Sequence, residues 1–150
     1  MGMAGGRRTA RWAIALLGCV ALTVAACGGG SAPALGPDPL AGAQPQQRLS
    51  LAARDVAFDQ RELAGTAGEV IEIAIVNRGT LPHDFTIDEL LGEIGNTGRE
   101  RPDDHAVHVT LQRNKERLLL LRVSAPGRYP FYCSVPGHRK SGMEGMLVIQ

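Results

Sequence analysis

From residue 48 onward, apolar and polar positions alternate with a period of two, as in strands with one buried face. Residues 69–77, EVIEIAIVN, set Ile71, Ile73 and Ile75 on one face, and their β-branched side chains suit a pleated surface. Residues 83–88 set His83, Phe85 and Ile87 against Asp84, Thr86 and Asp88. Further strands are predicted over 48–58, 107–111, 117–123, 128–133 and 145–149, with Tyr129, Phe131 and Cys133 alternating against Pro130 and Tyr132. Asn77-Arg78-Gly79 and Ala125-Pro126-Gly127 supply turn chemistry between them. Short strands at this density predict an all-β, Greek-key β-sandwich of about eight strands. Residues 88–104 break the alternation. That stretch is polar and carries Gly92, Gly95, Gly98 and Pro102, so a long connection is expected, with one short helix near Glu89-Leu90-Leu91.

The first third has a different pattern. Arg7, Arg8 and Arg11 precede an uncharged run over 12–26, WAIALLGCVALTVAA. It is short for a bilayer span but suits the apolar region of a secretory signal. The run ends in Val24-Ala25-Ala26-Cys27, which looks like a bacterial lipobox, where small residues precede a cysteine that receives lipid and becomes N-terminal. The residues after Arg7-Arg8 fit a twin-arginine signal poorly. Residues 1–26 are therefore expected to be a lipoprotein signal peptide. Residues 27–47, rich in Gly, Pro, Ala and Gln, are expected to be a tether beginning at lipidated Cys27, with a single domain over 48–150. This predicts an extracytoplasmic protein held at the bacterial membrane.

Composition narrows the function classes. The net charge is +1, and loss of the three leading arginines makes it −2, so no basic surface points to nucleic acid. Trp, Tyr and Phe make up only 4% of residues, so the core must be mostly Val, Ile and Leu. Of three cysteines, Cys19 leaves with the signal and Cys27 is capped, so the mature chain keeps one thiol, Cys133, in an oxidising compartment. Such a thiol needs burial or a metal.

The segment from Cys133 supplies the metal chemistry. Cys133, His138 and Met143 are spaced Cys-x4-His-x4-Met on what reads as one loop between two strands. One thiolate, two imidazoles and a long, weak thioether form the blue-copper donor set. The second imidazole must come from elsewhere, and His83 opens a strand on the face shared with Phe85 and Ile87. Met146 competes as the thioether but falls in the last strand and is expected to pack in the core. His105 and His108 read as structural or exposed.

The residues from Asn77 to Phe85, NRGTLPHDF, together with the segment from Tyr129, YPFYCSVPGHRKSGMEGMLVI, resemble the cupredoxin (type 1 blue-copper) family. The ligand loop is similar to those of rusticyanin and auracyanin. The resemblance covers about residues 48–150. It implies one copper ion cycling between Cu(I) and Cu(II), held by His83, Cys133, His138 and Met143, in a protein that carries single electrons and is not an enzyme. It also implies that the edge of His138 reaches a patch of apolar surface formed by Leu81, Pro82, Val135, Pro136 and Gly137. Redox proteins such as cytochromes or oxidase complexes are the expected partners, and a monomer the expected state. One position departs from the pattern. Similar proteins usually carry Asn after the first histidine ligand, and this chain has Asp84, whose carboxylate can accept hydrogen bonds from Ser134. A copper-binding module for storage, sensing or delivery is the alternative. An enzyme or a dinuclear centre would need more ligands or a second loop cysteine.

Overall fold

A computed structural model of the chain describes residues 1–2, 35–102 and 104–150. Cys27 and the expected signal segment from residue 3 onward lie outside the described residues. Among the described residues ten strands form: β1 (Gln47–Arg54), β2 (Ala57–Phe58), β3 (Glu62–Gly65), β4 (Val70–Asn77), β5 (His83–Ile87), β6 (Gly92–Ile94), β7 (Val107–Leu111), β8 (Glu116–Val123), β9 (Gly127–Tyr132) and β10 (Glu144–Ile149). They make two five-stranded sheets, ordered β2-β1-β4-β8-β6 and β3-β10-β9-β5-β7. β1 runs parallel to β4 and β3 parallel to β10, while the other pairs are antiparallel. The architecture is the all-β sandwich the alternation predicts.

The core lies between the sheets. β4 offers Ile71, Ile73 and Ile75 and β8 offers Leu119, Leu121 and Val123, each buried, with Glu72, Ala74, Leu120 and Arg122 turned outward. The facing sheet contributes Phe85, Ile87, Val107, Val109, Phe131 and Leu147. Each such side chain, fully buried, contributes about 1.5–3 kcal/mol. The phenylalanines meet here: Phe85 stacks on Phe131 at 5.1 Å, and Phe58 meets Phe131 edge-on at 5.4 Å.

Several elements differ from expectation. The first strand is split by a two-residue turn at Asp55-Val56, with Val56 at φ 61°. β3 and β6 are additional short strands. No helix forms at Glu89-Leu91. Instead β6 pairs with β8, and a single 3-10 turn follows at Asn96–Gly98. Part of the stretch expected as tether packs on the domain: Leu40 is 1% exposed, and Asp38 accepts hydrogen bonds from the N–H groups of Leu40 and Asn96. Met146 is half-buried rather than in the core, because the alternation of β10 turns Leu147 and Ile149 inward.

Candidate metal centre

Three connections converge at one end of the sandwich. The loop from β4 to β5 delivers His83. It is shaped by Asn77, whose Nδ2 donates to the carbonyls of Leu81 (2.8 Å) and Leu111 (3.0 Å) and whose Oδ1 accepts from Gly79 N–H (2.9 Å). Asp55 braces the same loop by accepting from the Thr80 N–H (2.8 Å) and hydroxyl (2.9 Å). The loop from β9 to β10 carries Cys133, His138 and Met143. Its backbone is cross-tied: Cys133 N–H donates to Met143 O (3.0 Å), and Met143 N–H donates to His138 O (3.1 Å). Between them, a 3-10 turn over Arg139–Ser141 ends at Gly142, whose φ of 91° favours glycine and aims the chain back toward β10.

These ties bring three predicted donors together. Nδ1 of His83 lies 3.2 Å from Nδ1 of His138, and Cys133 Sγ lies 4.0 Å and 3.4 Å from those two nitrogens. A point equidistant from the corners of that triangle is about 2.1 Å from each, within the roughly 2.0–2.3 Å at which a first-row ion such as zinc meets imidazole nitrogen and thiolate sulfur. A soft thiolate with two imidazoles is a donor set that suits copper. Met143 is fully buried in the same apolar cluster as Cys133. Among the described residues, this is the one group of three or more His, Cys, Asp and Glu side chains close enough to hold a metal.

The electrostatics favour ligation by neutral imidazole. Burial, and then the neighbouring His138, hold the His83 imidazolium below its ordinary range. Burial pushes the Cys133 thiol up, while the backbone N–H groups of Asp84 and Val135 pull it the other way. His138 retains 9% exposure and so gives the site an edge toward solvent; of the residues expected to form an apolar patch, Leu81, Pro82, Pro136 and Gly137 are exposed and Val135 is half-buried.

Asp84 ties the two ligand segments together. Its Oδ1 accepts from Ser134 N–H (2.6 Å) and the Thr86 hydroxyl (3.1 Å), and its Oδ2 accepts from the Ser134 hydroxyl (2.7 Å). Sequence reasoning missed Asn77 beyond its turn propensity, and left His108 as structural or exposed; it is buried, with Nε2 3.8 Å from Asp84 Oδ2. The parity that sets His108 with Asp84 on the outer face was legible, but the chain that covers that face was not.

Residues 46–150 match the family model for copper binding proteins of the plastocyanin/azurin family. The chain is 26% identical over 84 residues to the copper-resistant cuproprotein CopI of Vibrio cholerae, a match covering 50% of this chain and 47% of CopI. The match thus spans about half the length of that curated relative. Among solved structures, the dithionite-reduced auracyanin of Roseiflexus castenholzii is similar at 20% identity and a TM-score of 0.56, over 71% of this chain and 99% of that one. Auracyanin A of Chloroflexus aurantiacus, a "blue" copper protein, is similar at 22% identity and a TM-score of 0.55, over 69% and 98%. At these identities the structural likeness is one of fold.

Proposed function

The chain belongs to the plastocyanin/azurin family of copper-binding proteins, and from that premise we propose that it carries single electrons between redox partners outside the cytoplasm. His83, Cys133 and His138 would hold the copper, with the Met143 thioether as a further, weaker donor. The bound ion supplies a one-electron Cu(I)/Cu(II) couple. The chain's own residues supply the rest. Hydrogen bonds donated by Asn77, accepted by Asp84 and made within the Cys133–Met143 loop fix the donors against movement. Burial of Cys133 and Met143 excludes water and small molecules. His138 offers an edge through which a docked partner exchanges the electron. The observation that carries this reading is the closed donor set, with no ligand more than 9% exposed. A buried, cross-tied site suits passage of electrons better than hand-over of the metal.

A second reading, copper handling, is favoured by the name of the Vibrio cholerae relative, a copper-resistant cuproprotein. A redox titration of the copper-loaded chain, followed by metal analysis, separates the two. A reversible one-electron couple with copper retained supports carriage, and copper lost on reduction supports delivery. Cys133→Ser should abolish the intense visible absorption, since a neutral hydroxyl provides no thiolate-to-copper charge transfer. Colour persisting in that variant would overturn the donor assignment. Anchoring through a lipid on Cys27 belongs to the same proposal. It rests on Val24-Ala25-Ala26-Cys27 after a charged start, and Cys27→Ala should release the protein from membranes.

A further inference from the structure

One buried histidine is not used by the metal centre. His108 is 3% exposed and lies opposite Thr86 in the β5–β7 register, so it shares the outer face with Asp84 and not the core face with His83. Its Nε2 is 3.8 Å from Asp84 Oδ2 and its Nδ1 is 3.7 Å from Glu100 Oε2. Both separations exceed hydrogen-bond length, and Nδ1 has no hydrogen-bond partner. The flanking carboxylates are themselves fixed. Glu100 accepts from Thr110 N–H at 2.6 Å and pairs with Arg117 at 2.7 Å, and Asp84 holds Ser134.

A neutral imidazole has one N–H and one lone pair, so between two carboxylates its lone pair must face an anion. The imidazolium points an N–H at both. Position therefore favours the cation, while burial favours the neutral ring. Burial pushes His108 down, Asp84 pushes it up, Arg101 down, Glu100 up and His105 down, in falling order of weight. Those are the charged groups that face it: Asp84 from β5, Glu100 and Arg101 from the segment covering β7, and His105, whose ring stacks on it at 5.9 Å. Burial leads, and the net direction is below the ordinary histidine range, so the cation depends on the two flanking carboxylates to form.

We propose that His108 is the tuning residue of the copper centre, taking up a proton as the metal is reduced and releasing it on oxidation, through the Asp84 carboxylate that it shares with the Cys133–Ser134 segment. The balance is one electron from the redox partner and one proton from water, which reaches Nδ1 past partly exposed Glu100. The proposal rests on the electron-carrier reading above.

The test is the reduction potential of the copper-loaded full chain against pH, over about 5 to 8. Protonated His108 favours Cu(I), so the potential should fall as pH rises and the proton leaves. His108→Gln should flatten that slope while keeping the copper content and colour. Asp84→Asn should move the inflection to lower pH, because the neighbour that stabilises the cation is gone. In the Cu(I) protein, which is diamagnetic, the His108 ring NMR signals should titrate over the same interval. That measurement decides the matter in wild type if His108→Gln does not fold. A reversible couple with a flat pH profile, a slope that survives His108→Gln, or a His108 ring locked in one protonation state would each overturn the proposal. Absence of a reversible couple would overturn the carrier reading, and this proposal with it.

Discussion

Asn77 ends β4 with a fully buried amide that makes three hydrogen bonds, two donated and one accepted. Those bonds fold the loop that delivers His83 and join it to the end of β7. Asn77→Ala removes all three. At about 1 kcal/mol net each, and with the Leu81 and Leu111 carbonyls left short of partners, the expected loss is about 3 kcal/mol. For a domain of this size, with a urea dependence of about 2 kcal/mol per molar, the midpoint should fall by roughly 1.5 M. The melting temperature should fall by about 10 °C. Circular dichroism is the suitable probe, because the single tryptophan, Trp12, precedes the domain. Asn77→Asp is the sharper comparison. It keeps the shape and the acceptor but sets an oxygen against two carbonyls, so at neutral pH it should destabilise at least as much as alanine. Protonation of the new carboxyl restores one donor, so its deficit relative to wild type should shrink on acidification. A cost below about 1 kcal/mol for Asn77→Ala would refute the cross-tie, since one ordinary hydrogen bond would then account for the whole effect.

Three further outcomes are expected. Val56 holds a β-branched side chain at φ 61°, so Val56→Gly should stabilise the hairpin by about 0.5–1 kcal/mol, after the greater chain entropy of glycine is offset; thermal melts would show it. Asp84→Asn removes a negative charge next to the ligand loop and should raise the reduction potential with copper still bound, measured at about pH 8 so that His108 stays neutral in both proteins. Met143→Leu should keep copper and colour and raise the potential, whereas Met146→Leu should change the site little; the reverse pattern in voltammetry would refute the choice of Met143 as the thioether donor.

Much of this architecture was legible because the alternation is strong where both sheets bury a face, as in β4 and β5. The hairpin at Asp55-Val56 was not, because neither residue is the Gly or Asn that normally marks a left-handed turn position, and the run reads as one strand. β6 was hidden by its length of three residues and by Gly92. The pair Leu90-Leu91 suggests a helical face, yet Leu91 is 69% exposed and the segment is held instead by pairing of β6 with β8. Leu40 was unreadable for a different reason: a lone apolar residue among Gly and Pro has no period, and only the fold shows the surface it covers. At the metal centre, Cys133, His138 and Met143 were plain because one loop carries them, and strand parity then singled out His83. His108 was beyond reach because nothing in its own strand shows that residues near 100 run beside β7, where Arg99 bridges His108 and Glu100 N–H donates to His108 O at 3.4 Å.

The aspartate at position 84 shows why binding and tuning separate in this fold. A buried carboxylate without partners costs several kcal/mol, so a charge at 6% exposure must be compensated. Three donors do this: Ser134 N–H, the Ser134 hydroxyl and the Thr86 hydroxyl. An asparagine there can take the same Ser134 N–H on its carbonyl oxygen and reverse the bond to the Ser134 hydroxyl, which both donates and accepts. The tie between the His83 and Cys133 segments can therefore be made by either residue, and copper should bind with either. Only the charge differs. A carboxylate at this position stabilises the more positive oxidation state, and its effect is strongest where no counter-charge is near. His108, placed between Asp84 and Glu100, is the group able to supply that counter-charge or withhold it. The same substitution that leaves the ligand geometry unaltered thus makes the potential answerable to a second residue, on the opposite face of the sheet from the ligands' core.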